Sequence, residues 1–206
     1  MLPIVWSLSV LWFSHARVAL PSPPPIAPAT QLTFTMRRPQ DLSDSVAERM
    51  VCEAVSIWRP LGVELLEQSG GDGTPSEVRV IVEDREMPVG AGLLGWVRFI
   101  DDVGPEPVIH VSRPGVLRFL EATERGQHLS PASRNVLLAR MLGRVLAHEL
   151  GHYLLQSPGH TVHGLMRASW SIEALTAVEP AGFDVTLADV SELQAELSRS
   201  GFRRST

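Results

Sequence analysis

The sequence contains no lysine, and all 18 of its basic residues are arginine. Against 23 acidic residues they leave a formal charge of -5 at pH 7. A nucleic-acid binder needs an excess of positive charge on one face to attract phosphates. We therefore expect no nucleic-acid partner.

Cysteine is almost absent as well, since Cys52 is the only one in 206 residues. A single cysteine excludes an intramolecular disulfide and a multi-cysteine zinc module. Cys52 lies in a segment with apolar residues at helical spacing, where we expect it to be a partly buried small hydrophobe.

The sequence also lacks a hydrophobic run long enough to span a bilayer. Residues 2–13 form a short apolar run, and small residues follow at Ser14 and Ala16. This pattern fits a signal peptide over residues 1–16, although no basic residue precedes the run. Residues 17–30 are proline-rich and predict an extended linker. We expect a secreted or periplasmic protein with no stable membrane span once the leader is removed.

Residues 31–206 are long enough to form one domain with its own core. Hydrophobic periodicity predicts strands at 31–38, 63–66, 78–83, 96–100 and 108–111, and helices at 46–58, 114–123, 131–156 and 186–198. This order predicts an α+β fold in which helices back a mixed, mainly parallel, twisted sheet of about four to five strands. The C-terminal part is expected to be helical.

The segment most informative about function is His148-Glu149-Leu150-Gly151-His152, late in the longest predicted helix. Side chains four residues apart lie on one helical face. His148 and His152 can therefore present two imidazoles to one Zn²⁺, and Glu149 can act beside them as a base.

A catalytic zinc site usually has a third protein ligand. His160 is preferred because it directly follows Pro158-Gly159, where the chain can turn sharply back toward the helix. His163 is the second choice, and Glu173 the third.

This region resembles the metzincin clan of zinc endopeptidases. From His148 to Trp170 it is HELGHYLLQSPGHTVHGLMRASW, in which Gly164-Leu165-Met166 looks like the clan's methionine turn. The spacing differs from the clan's, which has glycine and histidine where this chain has Leu155 and Pro158. The resemblance implies a zincin-like fold, with Met166 as an apolar floor below the metal. It also implies an edge strand within residues 90–100 that binds an extended peptide.

The resulting hypothesis is a zinc peptidase that cleaves a peptide or protein, with metal ligands His148, His152 and His160 and the catalytic base Glu149. Two alternatives stay open. The first is a thermolysin-like peptidase with an acidic third ligand, such as Glu173 or Asp184. The second is a secreted binding or structural protein with a non-catalytic zinc site, for which His163 would be the fourth ligand.

Three further residues near the motif each have two interpretations. Arg167 is either an extra donor to the reaction or a solvated charge, and the solvated charge is preferred. Tyr153 and Trp170 either line a substrate pocket or pack in the core, and core packing is preferred. The sequence predicts no oligomeric state.

Overall fold

The computed structural model describes residues 30–68, 78–85, 93–101, 103–185 and residue 191. The predicted signal peptide, nearly all of the predicted linker and nearly all of the predicted helix 186–198 lie outside these residues. Among the described helices, none is both long and apolar enough to cross a membrane.

Five strands form one sheet. They are β1 (Thr30–Arg37), β2 (Val63–Glu67), β3 (Val78–Glu83), β4 (Gly95–Ile100) and β5 (Gly104–Ser112). The order across the sheet is β2-β1-β3-β5-β4. All neighbouring strands are parallel except β4, which is antiparallel to β5. The mixed, mainly parallel sheet of the predicted α+β fold is thereby confirmed.

The helices are α1 (Asp44–Trp58), α2 (Arg113–Glu121), α3 (Glu124–Gln127), α4 (Pro131–Leu154) and α5 (Ile172–Thr176). The predicted helices corresponding to α1, α2 and α4 are confirmed within two residues at each end. Helices α3 and α5 were not predicted from the sequence, and they have only four and five residues.

Strand β5 is longer than predicted, since it begins at Gly104 and not at Val108. Pro105 and Pro107 argue against a strand, because proline cannot donate a hydrogen bond to a neighbour. Among the described residues, the first half of β5 pairs only with β4, while β3 pairs from Val108 onward. Pro105 and Pro107 are thus tolerated because β3 does not pair with this half of β5, so no hydrogen bond from their nitrogens is needed on that side.

One apolar core lies between the sheet and the helices. Alternate residues of the central strands are buried in it, together with one face of α1 and most of the second half of α4. Burying each such aliphatic side chain contributes about 1.5–3 kcal/mol. The helix prediction around Cys52 is confirmed, but its expected partial burial is wrong: Cys52 lies on the exposed side of α1.

Helix α4 brings the histidine motif to the edge of this core. It starts with Pro131 in its first turn, and Ser130 caps it by accepting a hydrogen bond from the Ser133 N–H. It ends at Leu154, after which Gln156 takes a positive φ of 51° and Pro158 prevents helical continuation. His148 and His152 therefore occupy its last two turns.

Candidate metal centre and its cleft

His148 and His152 are held by backbone carbonyls that fix the orientation of both rings. Nδ1 of His148 lies 2.7 Å from the carbonyl oxygen of Leu165, and Nδ1 of His152 lies 2.7 Å from that of Ser157. A carbonyl can only accept, so each Nδ1 carries the proton and donates it. Each neutral ring then has its lone pair on Nε2.

These two Nε2 atoms face each other at 3.1 Å. Two nitrogens that both carry lone pairs cannot hydrogen-bond to each other, so the arrangement is favourable only with a cation between them. Nitrogens bound to one tetrahedral zinc ion are about 3.3 Å apart. The donor set therefore fits a metal ion, with the carbonyls of Leu165 and Ser157 acting as the outer contacts that orient metal-binding histidines.

Burial keeps both rings neutral, as metal binding requires. It lowers the pKa of His148 from 6.5 to about 4. Burial also lowers the pKa of His152, and the nearby His160 adds to this effect. Both imidazoles therefore offer a lone pair at neutral pH.

His160 joins the pair from the loop after α4. Its ring centroid lies 5.4 Å from that of His148 and 4.8 Å from that of His152. One nitrogen of each of the three residues falls within 4.8 Å of the other two, a group able to hold a metal ion. Within the described part of the chain, His163, Glu173 and Asp184 do not join this group.

Met166 packs beneath the histidine pair. A Cβ added at Gly151 would overlap the Met166 sulfur, so the thioether lies directly against the α4 backbone between the two histidines. Met166 is buried, and the adjacent Leu165 supplies the carbonyl that orients His148. Met166 thus forms part of the apolar layer that supports the group.

Glu149 lies on the cleft side of α4 but is only 6% exposed. Burial raises its pKa from 4.5 to about 8, with no described charge to offset it. A Cβ at Gly95 of β4 would come 2.8 Å from Cγ of Glu149 and 2.9 Å from Oε1, so any larger residue there would force the Glu149 side chain to move. The bare backbone of Gly95 therefore leaves the space that the Glu149 carboxyl group occupies.

A cleft of about 420 Å³ joins these groups, a size typical of ligand sites. Its lining includes the three histidines and Glu149, the segment from Leu93 to Val97 that leads into β4, and Arg167 with Trp170. Strand β4 forms one edge of the sheet. Among the described strands, none pairs with the outer edge of β4, which borders the cleft that contains the histidines. An edge of this kind can pair with an extended peptide.

The structure also resolves the open interpretations of the aromatic residues. Tyr153 is buried, as core packing requires, whereas Trp170 is half-buried and lines the cleft. The contribution of Gly95 was not predicted, although the three glycines at positions 90, 92 and 95 were a visible signal in the sequence.

The sequence matches no protein-family model and no curated protein. The structure is similar to the crystal structure of archaemetzincin from Methanopyrus kandleri, with a TM-score of 0.50 and 17% sequence identity. The match covers 85% of this chain and 99% of that chain. It shows that the two proteins share a fold, as the predicted zincin-like architecture requires.

Proposed function

We propose that this protein is a zinc-dependent peptidase whose metal is held by His148, His152 and His160 and whose catalytic base is Glu149. The observation that carries the proposal is the convergence of three imidazoles beside a buried carboxyl group in one cleft. The shared fold with archaemetzincin supports it. Export of the protein, suggested by residues 1–16, belongs to the same proposal.

When bound, zinc would supply Lewis-acid chemistry: it makes water acidic near neutral pH and stabilises negative charge on a carbonyl oxygen. Glu149 removes a proton from the attacking water and holds it on its carboxyl group. It then passes that proton to the leaving amine, which completes the hydrolysis of the peptide bond. The hydrogen-bonded carbonyls of Leu165 and Ser157 keep two imidazoles oriented throughout.

Strand β4 would hold the substrate. An extended peptide can form main-chain hydrogen bonds with the outer edge of β4, where no described strand pairs, and this would place its backbone alongside Glu149. Sequence preference would then come from the side chains that line the cleft. A peptide or protein substrate fits this edge better than a compact small molecule does.

The alternatives receive less support from the described residues. A thermolysin-like site needs an acidic third ligand, and neither Glu173 nor Asp184 falls in the histidine group. A closed structural site needs a fourth protein ligand. The group has three members among the described residues, and His163 is not one of them.

Metal analysis with a matched pair of histidine variants tests the ligand assignment. We expect about one zinc per chain in the wild type, a large loss of bound zinc in His160→Ala, and full zinc in His163→Ala. Both residues are exposed on the same loop, so the pair controls for simple loss of a surface histidine. Full zinc in His160→Ala would remove His160 from the ligand set.

A cleavage assay tests the activity. The zinc-loaded wild type should degrade a casein-like substrate, lose this activity when a chelator is added and regain it when zinc is returned. A fully zinc-loaded protein that cleaves none of a broad set of peptides would favour the structural-zinc alternative.

A further inference from the structure

Arg167 and Arg144 stand at the two ends of a stack of aromatic rings beside the cleft. The rings of Trp170 and Phe183 are parallel, with centroids 3.7 Å apart and 2° between their planes. The Arg167 guanidinium carbon lies 3.7 Å from the centroid of the Trp170 ring, and that of Arg144 lies 4.8 Å from the centroid of the Phe183 ring. The four residues form an aromatic column with a cation at each end.

The two cations differ in their partners. Arg144 is fully buried and binds the Glu53 carboxylate at 2.7 Å, together with the carbonyl oxygens of Ala174 and Ala177. Arg167 has no carboxylate within ion-pair distance in the described part of the chain, and its buried Nε–H has no hydrogen-bond partner there. Glu53 thus neutralises Arg144 within the fold, whereas no carboxylate of the described residues compensates the positive charge of Arg167.

This charge lies in the wall of the cleft that also contains the histidines and Glu149. Among the described lining residues, Glu149 is the only acid, and no hydrogen bond joins it to Arg167. Stacking on Trp170 limits the motion of the guanidinium plane, so less entropy is lost when an anion binds. A planar guanidinium pairs best with a carboxylate, through two parallel hydrogen bonds.

We propose that Arg167 is a specificity residue that binds a carboxylate of the peptide substrate. This carboxylate is either the C-terminal carboxylate or the side chain of an aspartate or glutamate near the scissile bond. The proposal rests on the peptidase function proposed above and names the substrate class: peptides that present an acidic group to this wall of the cleft.

Equilibrium binding to the zinc-loaded Glu149→Gln protein tests the proposal without turnover. Four matched peptides would be compared: one with an internal glutamate and an amidated C-terminus, one with glutamine and a free C-terminus, one with both carboxylates and one with neither. We expect a carboxylate-bearing peptide to bind about tenfold or more tightly than the peptide with neither group. The first two peptides separate a side-chain carboxylate from a terminal one.

Arginine variants in the same background assign this preference to a residue. Arg167→Gln should bind all four peptides with nearly equal affinity, and Arg167→Lys, which keeps the charge but loses the planar fork, should retain part of the preference. Arg49→Gln is the control, because it removes the same charge from an exposed arginine of α1 that does not line the cleft.

The outcomes separate the two proposals. Equal affinity of all four peptides in the parent protein, absence of binding, or an unchanged preference in Arg167→Gln would overturn the role of Arg167. A carboxylate preference that depends on Arg167, in a protein whose zinc-loaded wild type cleaves no peptide, would sustain the binding site and refute the peptidase.

Discussion

Arg144 and Glu149, two of the buried ionisable residues of helix α4, lie only five positions apart and have opposite environments. Arg144 is 0% exposed, and its guanidinium binds Glu53 and two carbonyls of the α5 region. Glu149 is 6% exposed, and no hydrogen bond to its carboxyl group is found among the described residues. The fold thus provides partners for the Arg144 guanidinium, whereas the Glu149 carboxyl group has none among the described residues.

Burial acts on both groups in the direction that disfavours charge. It lowers the pKa of Arg144, although Glu53 opposes the shift. It raises the pKa of Glu149 to about 8 without a described opposing charge. A buried ionisable side chain with all its partners present stabilises the fold. One that faces a cleft without partners can instead exchange protons with a bound substrate or water.

The largest expected effect on activity comes from replacing Glu149. Glu149→Gln keeps the shape of the side chain but cannot accept a proton, so kcat/KM on a casein-like substrate should fall about 10³-fold. Bound zinc, measured by metal analysis, should stay at the wild-type level because the histidines are untouched. Retention of full activity would show that Glu149 is not the base.

Replacing Arg144 should lower the stability of the fold more than it lowers the activity. Arg144→Met leaves the Glu53 carboxylate and the carbonyls of Ala174 and Ala177 without their donor, at an expected cost of about 3–5 kcal/mol in the free energy of unfolding. Urea denaturation of the variant and the wild type measures this loss.

Arg140→Met is the matched control for this substitution. Arg140 also lies on α4, but it makes a single hydrogen bond, of 2.8 Å, to the carbonyl of Thr176. Its replacement should cost only about 1 kcal/mol. Equal losses of unfolding free energy in the two variants would mean that the ion pair with Glu53 adds no stability beyond that of a single hydrogen bond.

A smaller effect is the pH dependence that Glu149 gives to the metal-free protein. Its pKa is about 8 when folded and about 4.5 when unfolded, so the folded state binds more protons between these values. The stability that Glu149 contributes is therefore present below pH 4.5 and is lost as the pH rises through 8. Metal-free Glu149→Gln should become more stable than the metal-free wild type by about 2–4 kcal/mol at pH 9, with little difference at pH 5.

Denaturation in a chelating buffer at pH 5, 7 and 9 measures this difference. His148 has the opposite effect, since its pKa is lowered to about 4 and stability is lost as the pH falls from 6.5 through 4. Both proteins contain His148, so its contribution cancels in the comparison. A difference that does not change with pH would contradict the raised pKa of Glu149.

The contrast between Arg144 and Glu149 also marks the limit of what the sequence predicts. The periodicity of α4 and the spacing of His148 and His152 are local, and they predicted the helix and the geometry of the pair. Glu53 and Arg144 are 91 residues apart, and no pattern in the sequence links them. Helix α5 has only five residues, which is too short for hydrophobic periodicity to predict a helix. Its contacts with α4, through Arg140 and Arg144, could not be predicted either.

The smallest expected effect concerns the space that Gly95 leaves for Glu149. A Cβ in Gly95→Ala would lie 2.7 Å from Cγ1 of Val145 and 2.8 Å from Cγ of Glu149, so both side chains must move. We expect a loss of about 1–2 kcal/mol in stability and about a tenfold loss in kcat/KM. Adding Val145→Ala removes the first overlap but not the second. The double variant should therefore recover stability without recovering activity, and recovery of both would show that the position of Glu149 does not depend on Gly95.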